Sequence, residues 1–170
     1  DLRAGVTLVY RHFLSLSNEL QTPKIVLCPS DGLGRVEAVN WSTNRTRGAN
    51  AAQYFGGNSS VSYFVGFEAD ETLPQSLLSG DRNITNSDRT DISKGIVFRF
   101  RMRARRNDPP PCLLLSQVGT KNIHDTAGNV ALGDGSVQAF STSKLREGIR
   151  DIGLQEVQIA VPGDEDERGC

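Results

Sequence analysis

Apolar and polar residues alternate in several short stretches of this chain, and each alternation predicts a β-strand. Over residues 61–67, Val61, Tyr63, Val65 and Phe67 fall on one side, which marks a core strand. Over residues 96–106, Phe98, Phe100, Met102 and Ala104 alternate with Arg99, Arg101, Arg103 and Arg105, so one side is apolar and the other a row of guanidinium groups. Residues 156–161 place Val157, Ile159 and Val161 on one side before Pro162 stops the strand. Shorter apolar runs at 24–28, 75–80 and 112–118 predict further strands. Helical spacing occurs twice. Val9, Phe13, Leu16 and Leu20 predict a helix over 7–20, with Thr7 as N-cap and Pro23 as the stop. Leu145, Ile149 and Ile152 predict a second over 143–152, capped by Ser143 and closed by Gly153. Residues 35–58 follow neither period and read as an irregular loop.

The stretch from Asn122 to Ser141 has the strongest local instructions. Asp134-Gly135 suits a two-residue type I′ turn, which predicts a hairpin with Leu132 opposite Val137 and Val130 opposite Ala139. Nine residues separate His124 from Asp134 within one strand-turn-strand unit. An imidazole donating to the turn carboxylate would pin the intervening loop beside the hairpin. The same pair is the minimum of an acid–base or metal site. No further ligand or nucleophile stands beside it in the sequence, so the structural pin is the expectation.

Composition narrows the reading. The 170 residues are enough for one domain with a real core, assigned here to 1–162 with an acidic, disordered tail at 163–170. An apolar fraction of 37% with 17 glycines favours many turns and short strands over a helical bundle. The net charge of −1 leaves no global field to recruit nucleic acid or an anionic membrane. No Ser-hydrolase elbow, P-loop, zincin helix or dinucleotide fingerprint is present, so no catalytic residue is assigned and no enzyme is expected.

His124 and Asp134-Gly135, together with Ser17-Asn-Glu-Leu-Gln-Thr-Pro-Lys24 leading into Cys28-Pro-Ser-Asp31, with Val61-Ser-Tyr-Phe-Val65 and with Gly80-Asp-Arg-Asn-Ile-Thr85, resemble pseudopilins of the type II secretion and type IV pilin-like group. The resemblance runs from about Tyr10 to Phe140. It implies an α+β, pilin-like globular domain with an antiparallel sheet, a short N-terminal helix and a C-terminal β-hairpin. It further implies a cleaved leader and a hydrophobic assembly helix ahead of Asp1, which would anchor the domain on the periplasmic side of the cell inner membrane. The function so implied is a structural subunit assembling into a fibre with other pseudopilin subunits and the secretion machinery.

Three further expectations attach to that reading. In an exported domain, Cys28 and Cys112 are candidates for a disulfide worth roughly 4 kcal/mol, with two buried thiols as the alternative, while Cys170 on the polar tail is expected to be free. No cofactor or metal is assigned; calcium is the one ion considered, because Asp81, Asp125 and Asp134 offer oxygen donors near the hairpin. The face of Arg99, Arg101, Arg103 and Arg105 is a candidate surface for an acidic partner. Its alternative use is an extracytoplasmic module binding an anionic polymer, DNA or acidic polysaccharide. Nucleic acid is not the expected partner, since the aromatics of that strand point away from the arginines and cannot stack bases beside them.

Overall fold

A computed structural model describes residues 8–31, 34–44, 54–86, 95–101, 113–115, 124 and 127–163. Eight strands are found among them: β1 (Tyr63–Gly66), β2 (Leu77–Asp81), β3 (Ile84–Asn86), β4 (Ile96–Arg101), β5 (Leu113–Leu115), β6 (Ala127–Leu132), β7 (Val137–Ser141) and β8 (Glu156–Val161). Six form one sheet in the order β4-β8-β1-β2-β6-β7, and β3 pairs with β5 in a separate ribbon. Every pairing is antiparallel. Helices α1 (Tyr10–Ser15), α2 (Ser17–Leu20) and α3 (Thr142–Asp151) complete an α+β domain.

Two apolar clusters flank the large sheet. On one face Phe64, Phe98, Phe100, Val130, Leu132, Phe140 and Ile159 pack with Leu145 and Ile149 of α3. At roughly 1.5–3 kcal/mol for each fully buried large side chain, this cluster is the main source of stability. On the other face Val9, just before α1, and Phe13 of α1 pack with Phe55, Val61 and Ala160, and with the half-buried Tyr63, Val65 and Val97. The strands β4, β8 and β1 are therefore covered on both sides, which explains why Ala160 is as buried as Ile159 in β8.

Several boundaries differ from the sequence expectations, each for a local reason. In β1 the fully buried side chain is Phe64, while Tyr63 and Val65 face the smaller cluster and Phe67 is exposed. The first helix breaks at Leu16, so that Leu16 is exposed, and it carries no side-chain cap; Thr7 lies outside the described residues. Residues Pro23–Val26 form a 3₁₀ turn and no strand, because Pro23 sits at its start and the Thr22 hydroxyl accepts from Lys24 N–H. In the second helix Ser141, not Ser143, is the N-cap, accepting from Lys144 N–H, and Gly153 ends it at φ +77.

The hairpin turn also departs from expectation. Gly135 has φ +81 while Asp134 does not enter the left-handed region, so the turn is not type I′. Leu132 N–H donates to Ser136 O and Gly135 N–H to Leu132 O, which closes a three-residue loop with Gly135 in the bulge position. The extra residue shifts the register: Ala131 opposes Val137 and Val130 opposes Gln138. A one-residue slip exchanges the faces of a strand, and β7 accordingly buries Phe140 and leaves Val137 67% exposed.

Candidate functional site

The turn Cys28-Pro-Ser-Asp31 supplies the first components of the site. Asp31 N–H donates to Cys28 O, and Pro29 occupies the position whose fixed φ favours such a turn. The two corner residues are exposed, whereas Cys28 and Asp31 at its ends both turn into the protein. Asp31 meets Arg82 in a two-pronged pair, with Nε to Oδ2 at 2.6 Å and Nη2 to Oδ1 at 2.8 Å. Arg35 adds a second guanidinium to Asp31 Oδ2 at 3.1 Å and donates through Nη1 to the carbonyls of Asn58, Val61 and Gly163. All three charged side chains are buried, with Asp31 and Arg82 each 2% exposed. A buried pair of this kind contributes little net attraction, yet losing one partner strands the other charge away from water.

The strand β2 delivers the second group. Gly80 precedes Asp81 because a side chain there would run into the Phe64 ring and the Asn129 carbonyl, at 2.6 and 2.7 Å from an added Cβ. Asp81 Oδ2 accepts from Asn129 N–H at 2.6 Å and from the Asn129 side-chain amide at 3.3 Å, fastening β6 to β2 where their regular pairing ends. Asn83 repeats the device by donating to Ala127 O at 2.8 Å. Arg82, between them, turns to Asp31. The strand end at 81–83 thus holds the start of the hairpin on one side and the Cys28 turn on the other.

His124 completes the cluster. Its backbone is left-handed at φ 50, uncommon for a residue with a side chain, and its carbonyl accepts from Ala127 N–H at the entry to β6. The ring Nε2 lies 3.5 Å from Cys28 Sγ and 3.8 Å from Asp81 Oδ2. The three donor atoms all lie within 4.8 Å of one another. Tyr63 borders them, opposite Asp81 in the β1–β2 register; burial, then the negative charges of Cys28, Asp81 and Asp31, push its pKa above 10.0.

The expected pin from His124 to the turn carboxylate is not formed. Asp134 instead accepts from Ser136 N–H at 2.9 Å, a bond that holds its pKa below 3.8, and it is fully exposed. The reason is strand geometry: β6 lies between the two residues, and its six residues extend about 20 Å at the usual rise. His124 is at the base of the hairpin and Asp134 at its tip. For the same reason Asp81 and Asp134 do not gather around one calcium ion, and Asp125 lies outside the described residues. Cys28 is a free buried thiol facing His124, so the candidate disulfide does not engage it; Cys112 and Cys170 lie outside the described residues.

The arginine strand is a sheet edge, where charged side chains discourage pairing with another strand. Phe98 and Phe100 are buried and Arg99 is exposed, opposite Gln158 in register, while Arg101 opposes Glu156. Arg103 and Arg105 lie outside the described residues. No helix among the described residues is long and apolar enough to cross a membrane. Comparison of the chain with protein-family models, curated proteins and solved structures finds no match.

Proposed function

We propose that the chain is the globular part of a pseudopilin-like subunit of a type II secretion or type IV pilus-like machine, displayed at the periplasmic side of the inner membrane and acting by fibre assembly. The observation that supports this reading is convergence. Three of the stretches that carry the resemblance, ending in Cys28-Pro-Ser-Asp31, containing Gly80-Asp-Arg-Asn83 and beginning at His124, meet in one small volume. Motifs scattered over about a hundred residues have a shared purpose if that purpose is to lock a hairpin and a turn onto a sheet. A subunit that must stack on copies of itself needs such a stiff body, and it works through surfaces without making or breaking bonds.

The geometry of His124 also argues against a nucleophile relay. In a Cys-His-Asp relay the thiol and the carboxylate engage opposite ring nitrogens, so that a proton taken at one is balanced at the other. Here both neighbours face Nε2. The anion-polymer reading has Arg99 as its one exposed guanidinium of described placement on that strand, and no second observation favours it.

The test is processing and assembly of the full-length product in its native cells. A precursor shortened by a prepilin peptidase, and cross-linking into ladders of the same subunit, are the expected results. An N-terminus unchanged when the peptidase is deleted, together with a protein that stays monomeric, overturns the proposal.

A further inference from the structure

We propose that Cys28, Asp81 and His124 bind a single divalent metal ion of the zinc class, which clasps three segments far apart in the chain. The inference goes beyond the assembly reading and does not depend on it.

The donor set is the first argument. A thiolate, an imidazole and a carboxylate are the ligands zinc uses, whereas calcium and magnesium take oxygen donors almost exclusively. The spacing is the second. Zinc–ligand bonds of about 2.0–2.3 Å at tetrahedral angles separate sulfur from nitrogen by about 3.6 Å and nitrogen from oxygen by about 3.3 Å. The observed separations are 3.5 Å and 3.8 Å, with all three atoms within 4.8 Å of one another, so a common centre is reached by drawing the sulfur and the carboxylate oxygen together by up to about 1 Å. Convergence of sulfur and oxygen on one ring nitrogen, useless to a proton relay, is what ligation by Nε2 requires.

The third argument is charge. Asp81 is 3% exposed, and no Lys or Arg side chain pairs with it among the described residues, since neighbouring Arg82 is committed to Asp31. Buried carboxylates are ordinarily paired with a cation or bound to a metal, and among the described residues His124 is the titratable base within reach. The supports around this carboxylate are already in place: the Asn129 backbone and side-chain amides fix the orientation of Asp81, as supporting bonds do in metal sites. The left-handed backbone of His124 is a local strain that aims the ring inward, and such outliers concentrate at ligand sites. The His124 side chain is 35% exposed, which leaves an entry path and room for a solvent ligand in the fourth position.

The experiment uses the full chain carrying Cys112→Ser and Cys170→Ser, so that Cys28 is its one thiol. Zinc is titrated against a chromophoric chelator, and cobalt(II) is added separately to read thiolate ligation from its near-ultraviolet charge-transfer band. The expected result is one ion per chain, a cobalt–thiolate band, and a melting temperature that rises with zinc and falls with chelator. His124→Ala removes the most exposed ligand, so the fold is expected to survive while zinc affinity falls at least 100-fold and the chelator effect disappears. Asn129→Ala, which loses only the side-chain bond to Asp81, is expected to weaken binding about 10-fold, the low end for supporting shells. Absence of stoichiometric binding overturns the proposal. So does binding that survives unchanged in His124→Ala, or a cobalt complex with no thiolate band.

Discussion

The two ends of the β6–β7 hairpin are built on opposite principles. At the tip, Asp134 and Gly135 satisfy the chain locally: one carboxylate accepts from an amide two residues on, and one glycine takes a left-handed angle. At the base, the contacts that join His124 and Asn129 to residues 28 and 81 are long-range, spanning as many as 96 positions of sequence. The tip closes its own turn and is anchored by Gly133 and Asp134 N–H to the Ser76 and Pro74 carbonyls, while the base leans on the buried Cys28 and Asp81. A motif that pairs a His with an Asp-Gly after nine intervening residues therefore describes two separate devices linked by a strand of fixed length.

That contrast predicts a hierarchy of mutational effects. The largest loss is expected for Asp31→Ala, which leaves Arg82 and Arg35 buried beside a missing anion; breaking such a pair costs about 3–5 kcal/mol. Denaturant unfolding measures it. Next comes Asp81→Ala, expected to cost about 1–3 kcal/mol because the part-buried Asn129 amides lose their acceptor. At the tip, Gly135→Ala forces a side chain into φ +81 and is expected to cost roughly 1–2 kcal/mol, with the fold intact. If the tip variant proves more damaging than both base variants, the division between the two ends is wrong.

Two pH effects refine the same comparison. Tyr63 has a raised pKa in the folded protein, so its neutral phenol favours folding below about pH 10, and this contribution is lost as pH rises through the folded value. Tyr63→Phe is expected to flatten the alkaline limb of the stability curve. Asp134 has a lowered pKa, so its contribution is present above 3.8 and is lost as pH falls through the lower folded value. Asp134→Asn is expected to give the smallest change of the series, confined to the acid limb, because the group is fully exposed to solvent.

The fold was legible where periodicity was strong and local. The alternation at 156–161, the buried Phe98 and Phe100, and the Leu145–Ile149 stripe all appear as read, since burial on a sheet or helix face leaves its period in the sequence. Turn chemistry was legible only in part: Asp-Gly announces a turn, but whether the glycine completes a two-residue loop or a bulge depends on the flanking register, and that choice reversed the faces of β7. The site was the least legible. His124 stood out, but Cys28 read as one partner of a disulfide and Asp81 as an oxygen donor for calcium. Nothing in linear spacing signals that positions 28, 81 and 124 converge. The one available cue was that Cys28-Pro-Ser-Asp31 and Gly80-Asp-Arg-Asn83 each set reactive side chains beside residues that force a turn or a close approach.

The most direct test is a pair of double-mutant cycles on folding stability, one combining His124→Ala with Asp81→Ala and the other combining His124→Ala with Asp134→Ala. Residues in contact couple by about 0.5–3 kcal/mol, whereas distant residues add to within about 0.3–0.5 kcal/mol. Coupling in the first cycle with additivity in the second is the result predicted by an imidazole seated at the hairpin base. Additivity with Asp81 and coupling with Asp134 would contradict it, returning His124 to the tip.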